Sequence, residues 1–167
     1  TGSGSGVGIV KSTDNGVTWS QTAVPLNGLA GGYVEASSDL QTIYACKRSG
    51  ESNPVFYKST DGGSTWSNPG TVGNSSSGPV RIVGASATTA LAAIGTVLVR
   101  TTNGFTSVST VLNTASSSNE IMAIEVAPSN SNYVYVTTKG LLVYRSTDAG
   151  LTFTLRSNIR TFIDAQP

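Results

Sequence analysis

The chain has 167 residues, a net charge of +1, 11% charged residues and no histidine. That length suffices for one domain with its own core. The near-neutral charge without basic runs argues against nucleic acid and anionic membrane as partners, and the missing histidine removes Ser-His-Asp triads, His-ligated metals and His general bases. No metal or cofactor is expected. No run approaches the length of a membrane-spanning helix, so no membrane insertion is expected, and the N-terminus lacks a basic-then-apolar leader pattern. If the protein is exported, its signal has been removed or lies outside these residues. Cys46, the single cysteine, sits in the apolar run 42–46 and reads as a small buried hydrophobe with no disulfide partner.

In chain order, Thr1-Gly2-Ser3-Gly4-Ser5-Gly6 is low-complexity. Alternating, β-branched and aromatic runs that each end in a base follow at intervals: 7–11 up to Lys11, 54–58 up to Lys58, 97–100 up to Arg100 and 141–145 up to Arg145. Such runs predict strands. Each is followed by turn chemistry and then by the start of a return strand. The turns are Ser12-Thr13-Asp14-Asn15-Gly16-Val17-Thr18-Trp19, Ser59-Thr60-Asp61-Gly62-Gly63-Ser64-Thr65-Trp66 and Ser146-Thr147-Asp148-Ala149-Gly150-Leu151-Thr152-Phe153. A shortened copy, Thr101-Thr102-Asn103-Gly104-Phe105-Thr106-Ser107, lies between the last two. Ser and Asp side chains bond nearby backbone N–H groups, and glycine accepts positive φ, so each copy predicts a hairpin with a self-bonded loop. Trp19 and Trp66 are expected to tuck against the sheet, each worth about 3–5 kcal/mol as a core aromatic. Gly104 is aligned with Gly16, Gly63 and Gly150. Ser107 then stands where the other copies carry an aromatic, so the third hairpin is expected to be the least anchored.

The copies recur with a period in the forties, the spacing of four-stranded propeller blades. The expected fold is all-β: propeller blades, four-stranded antiparallel sheets, in an incomplete propeller or part of a larger one. The divisions are a partial blade over 1–28, full blades over 29–72, 78–113 and 119–158, and the first strand of a further blade over 159–167. A self-contained four-bladed ring is the alternative. The pattern Ser-x-Asp-x-Gly-x-Thr-Trp resembles the Asp-box, or BNR repeat, of sialidases, xyloglucanase-type glycosidases and sortilin-type receptors. The stretch 127–135, Ala-Pro-Ser-Asn-Ser-Asn-Tyr-Val-Tyr, is similar to a strand–turn–strand of the latter two. The resemblance implies that the loops lie on the outer rim and are structural, through Ser12, Asp14, Gly16, Trp19, Ser59, Asp61, Gly63, Trp66, Ser146, Asp148, Gly150 and Phe153.

Chemistry is sparse. Nine carboxylates are present and three belong to these loops. Glycoside hydrolysis needs two carboxylates about 5–10 Å apart. Glu35 and Glu125 hold similar places on the first strands of their units, and Asp164 stands near them in the scheme. These three are the weak catalytic candidates; the repetition argues equally for structure. Tyrosines at 33, 44, 57, 133, 135 and 144 read as strand residues before sugar platforms. In the resemblance, sialidases carry an arginine triad and an Arg-Ile-Pro motif, while Arg81-Ile82-Val83 lacks the proline. Xyloglucanase-type enzymes place an acid where Thr138-Lys139-Gly140-Leu141 has lysine. The expected function is therefore a non-catalytic segment of a secreted or cell-surface protein, a scaffold or interaction module for protein or carbohydrate. The alternative is a fragment of a secreted glycoside hydrolase with its catalytic residues mostly elsewhere. Expected partners are further blades from the same parent chain, another subunit or a self-copy, and a glycan or surface protein.

Overall fold

The structure, a computed structural model, describes residues 9–22, 32–37, 40–47, 55–71, 80–83 and 88–159. A short hairpin comes first: β1 (Val10–Lys11) pairs with β2 (Ser20–Gln21). Three four-stranded antiparallel sheets follow, each in sequence order. The second blade is β3 (Gly32–Ala36), β4 (Ile43–Lys47), β5 (Val55–Ser59) and β6 (Ser67–Thr71). The third is β7 (Val80–Val83), β8 (Ala90–Ile94), β9 (Val97–Thr101) and β10 (Ser109–Asn113). The fourth is β11 (Ile121–Val126), β12 (Val134–Thr138), β13 (Leu142–Ser146) and β14 (Thr154–Asn158). This all-β arrangement of meander sheets is that of propeller blades. The low-complexity start, the 160–165 strand and Asp164 lie outside the described residues.

Registers repeat from blade to blade. One transverse row runs Glu35–Tyr44–Lys58–Ser67 in the second blade. The equivalent rows are Val83–Leu91–Arg100–Ser109 and Glu125–Tyr135–Arg145–Thr154. Lys11 pairs with Ser20 in the same manner. Residues directly opposite on paired strands share a face, so each row lies on one side of its sheet. The fourth strand bulges against the third in all three blades; the bulge increases twist and tolerates Pro69 at the outer edge.

The sheets bury their faces on one another. Tyr44, Cys46 and Phe56 of the second blade form one core with Ile82, Ala90, Ala92, Ile94, Val99 and Phe105 of the third. Leu91, Ala93 and Leu98 of the third form another with Ile121, Ile124, Val134 and Val136 of the fourth. Strand β8 is buried at every position because it is covered on both sides. Burial pushes the Cys46 thiol up to about 12, and Tyr44 likewise to about 12. Strand β7 lies between β3 and β11, so the first strands gather at the inner end of the blades and the fourth strands lie at the outer edges.

Two expectations about the loops fail. The tryptophans do not fill a core: Trp66 is half-buried and Trp19 is 63% exposed. Each indole folds back over its own loop, with Nε1–H donating to the carbonyl of Gly16 or Gly63 at 3.1 Å. Further cover must come from a preceding sheet, and the described residues contain none ahead of the first hairpin. The third copy is also shifted by one residue. The Ser59 hydroxyl accepts from Gly63 N, four residues on, whereas the Thr101 hydroxyl accepts from Phe105 N. Phe105 therefore holds the glycine position, Gly104 matches Gly62, Ser107 matches Thr65, and Val108 takes the aromatic place. Far from being loose, this hairpin buries Phe105 to 1% exposure, stacked on Phe56 at 4.3 Å between centroids and edge-on to Tyr44 at 5.3 Å.

Candidate functional site

The repeat loops are built from local hydrogen bonds. In the second, Ser59 Oγ donates to Asp61 Oδ1 at 2.8 Å and accepts from Gly63 N at 2.8 Å. Asp61 then accepts from the Thr65 backbone N–H and hydroxyl. Ser12, Asp14 and Thr18 repeat this circuit, as do Ser146, Asp148 and Thr152. In the third loop Asn103 substitutes, accepting from Ser107 N and donating to its hydroxyl. Two successive residues in each loop adopt positive φ: Asn15 and Gly16, Gly62 and Gly63, Gly104 and Phe105, Ala149 and Gly150. A left-handed pair is what a type I′ turn requires.

The donors hold the loop carboxyls well below the ordinary 3.8, at about 2. Thr18 is the main cause for Asp14, Thr65 for Asp61 and Ser146 for Asp148. These carboxylates are engaged in closing their own loops. Phe153 and Val108 pack against the two inter-blade cores.

The second, third and fourth loops also meet the preceding sheet. Lys11 Nζ donates to Gly62 O at 2.6 Å, and Arg100 Nε donates to Ala149 O at 3.2 Å. Lys58 lies against Gly104, the same loop position; a Cβ built there would come within 2.8 Å of its Nζ. A Cβ on Gly150 would come within 2.8 Å of Leu91. Lys11, Lys58 and Arg100 thus each reach the next loop, a role that sequence reading missed. Its signal was present in the recurrence of Lys or Arg at that place.

A different site lies at the inner end. A cleft of about 280 Å³ is lined by β3, β7 and β11, and it brings Glu35 and Glu125 together. Val83 holds the equivalent position on the strand between them. Burial pushes the Glu35 carboxyl above its ordinary value, and the Glu125 charge adds to that. Tyr33 lies on the wall and Ile82 and Ile124 supply apolar surface. Two acids in one cleft can hydrogen-bond a polyhydroxylated ligand or attract a cationic group. Among the described residues no group of three His, Cys, Asp or Glu could hold a metal ion, and no helix is long and apolar enough to cross a membrane. Lys139 lies on the exposed turn between β12 and β13, its N–H bonded to Glu120 O at 2.8 Å.

No family model matches the chain, and no curated protein sequence matches it. Solved structures do match. An ancestral GH74 enzyme superposes with a TM-score of 0.63 at 24% identity, over 88% of this chain and 21% of that one. YCF48 from Cyanidioschyzon merolae gives 0.55 at 16% identity, over 80% of this chain and 39% of that one. YCF48 bound to D1 peptide gives 0.53 at 18% identity, over 70% of this chain and 36% of that one. The chain therefore spans well under half the length of each of these structures, and the likeness establishes the propeller fold.

Proposed function

We propose that the chain is a non-catalytic β-propeller segment of a secreted or cell-surface protein, a scaffold that offers its inner cleft to a protein or a glycan. In this reading the repeat loops are Asp-boxes, and the remaining blades come from the same parent chain, another subunit or a self-copy. One observation carries it: Asp14, Asp61 and Asp148 are committed to closing their own loops, in hairpins between the third and fourth strands, and none of them lines the inner cleft. The peptide bound by YCF48 supports a protein-binding role for such blades. A second reading, a fragment of a xyloglucanase- or sialidase-like glycoside hydrolase, draws support from the GH74 likeness and from Glu35 and Glu125 in one cleft. Incubation of the chain with xyloglucan and with sialosides separates the two. No released sugar is expected; sugar release that disappears in Glu35→Gln or Glu125→Gln would overturn the non-catalytic reading.

A further inference from the structure

The third loop differs from the others in its acid. Asn103 stands where they carry Asp14, Asp61 and Asp148, and Gly104 follows it. Asparagine followed by glycine is prone to deamidation, because glycine has no side chain to shield its nitrogen from close approach. Once the glycine N–H gives up its proton, the nitrogen attacks the asparagine Cγ. The carboxamide C–N bond breaks, ammonia leaves and a five-membered succinimide remains. Water opens that ring at one carbonyl to give aspartate. Opening at the other gives isoaspartate, whose main chain runs through the former side chain and is one carbon longer.

In the folded chain each group of this reaction is occupied. The Gly104 N–H is buried and donates to Thr88 O at 2.8 Å. Asn103 Oδ1 accepts from the Thr101 hydroxyl at 3.0 Å and from Ser107 N at 2.9 Å. Asn103 Nδ2 donates to the Ser107 hydroxyl at 2.8 Å. The carboxamide turns onto the Gly104 nitrogen only when these bonds open together. The next residue seals them: Phe105 stacks on Phe56 and meets Tyr44 edge-on, and Lys58 lies against Gly104. Freeing the loop therefore requires a local parting of the second and third blades.

We propose that Asn103 is a deamidation site held shut by the packing of the second blade on the third, and that it reacts with water when those blades part. The two products meet different fates. Aspartate at this position keeps the loop. Its carboxylate accepts from the Thr101 hydroxyl, Ser107 N and the Ser107 hydroxyl, as Asp61 accepts from Ser59, Thr65 N and the Thr65 hydroxyl. Only the Ser107 hydroxyl has to turn. Isoaspartate instead adds a main-chain carbon just ahead of the left-handed pair, Gly104 at φ 67° and Phe105 at φ 70°. The extra atom shifts Phe105 N off the Thr101 hydroxyl and the ring out of its seat. That branch runs one way: an interface that has stayed open long enough no longer closes as before. The site lies between two interior blades and does not depend on what the cleft binds.

Peptide mapping by mass spectrometry follows the reaction in the full chain at mildly alkaline pH, with chromatography separating aspartate from isoaspartate peptides. Asn103 is expected to react at least about tenfold more slowly in the native chain than in urea, the factor given by an opening cost of about 1.4 kcal/mol. Phe105→Ala should raise the native rate at Asn103 at least about tenfold by removing the seal. Ser107→Ala, at an exposed position, should raise it several-fold by freeing Nδ2. Asn15–Gly16 in the first loop should keep its rate in both variants. Asn103→Asp should unfold at a urea midpoint no lower than the native one, and the purified isoaspartate form at a lower one. If Phe105→Ala does not fold, Ser107→Ala carries the comparison alone. Equal rates at Asn103 in the native and denatured chains overturn the seal. Equal acceleration at Asn15 and Asn103, with far-UV circular dichroism unchanged, overturns its link to the blade interface. No reaction at Asn103 even in urea overturns the site. A lowered midpoint for Asn103→Asp, or a native one for the isoaspartate form, overturns the separate fates.

Discussion

The loops at 12–19 and 101–108 share one hydrogen-bond circuit and meet opposite fates. In the first, a Ser–Asp–Thr set closes on itself and the ring of Trp19 stays largely in water. In the third, a weaker Thr–Asn–Ser set closes the same turn while the ring of Phe105 is sealed between two blades. The polar circuit makes a loop; a neighbouring sheet makes it part of a core. Phe105 also pays a conformational cost, since φ of 70° is a sparsely populated region for a bulky residue, typically costing about 1–3 kcal/mol. Burial of the ring against Tyr44 and Phe56 offsets that cost.

The comparison breaks most sharply at the buried ring. Phe105→Ala is expected to destabilise the chain by about 3–5 kcal/mol in urea titration. Phe105→Gly should cost less, because glycine accepts the left-handed backbone. A change under about 0.5 kcal/mol, the range of ordinary surface substitutions, would show that the ring is not held between blades.

The hydroxyls come next. Ser59 is 1% exposed and satisfies the buried Gly63 N–H, so Ser59→Ala should cost about 1–3 kcal/mol. Ser12→Ala should cost less, because the Gly16 N–H it would orphan is exposed to water. Equal losses would remove the distinction between a loop with a neighbour and one without.

Acid sharpens the same contrast, because three loops carry a carboxylate and the third carries Asn103. The folded carboxyls stand at about 2 against an ordinary 3.8. A depressed folded value stabilises above the unfolded value and is lost as pH falls through the folded one. Stability is therefore expected to fall from about pH 4 towards pH 2. Asp61→Asn should flatten that fall, measured as the urea midpoint against pH. A profile unchanged by the substitution would count against the loop carboxylates as its source.

The smallest effect is expected at Trp19. Trp19→Ala in dilute solution should change stability by no more than about 1 kcal/mol, the scale of its single indole hydrogen bond and little burial. A loss comparable to that of Phe105→Ala would mean that the ring is covered after all.

Much of this architecture was legible locally. Ser12, Asp14 and Thr18, with their copies, lie two and four residues apart, and bonds over such distances need no tertiary partner. The base after each apolar run was equally visible. What it reaches was not, because Lys11 Nζ meets Gly62 across 51 residues of chain. Glu35 and Glu125 stood out as repeated acids, but the cleft they share exists only because β7 stands between β3 and β11. The third loop was misaligned for a physical reason. Gly104 looks like the glycine the turn demands, and only packing against Phe56 and Tyr44 reveals that Phe105 occupies that place.

The sequence by itself determined the hairpins, their polar loops and the repeat, since each arises from contacts within a few residues. The tertiary structure decided which rings are buried, which bases find a carbonyl and where the acids meet. Those outcomes depend on the next sheet, and a residue's own sequence neighbours cannot reveal whether one is there.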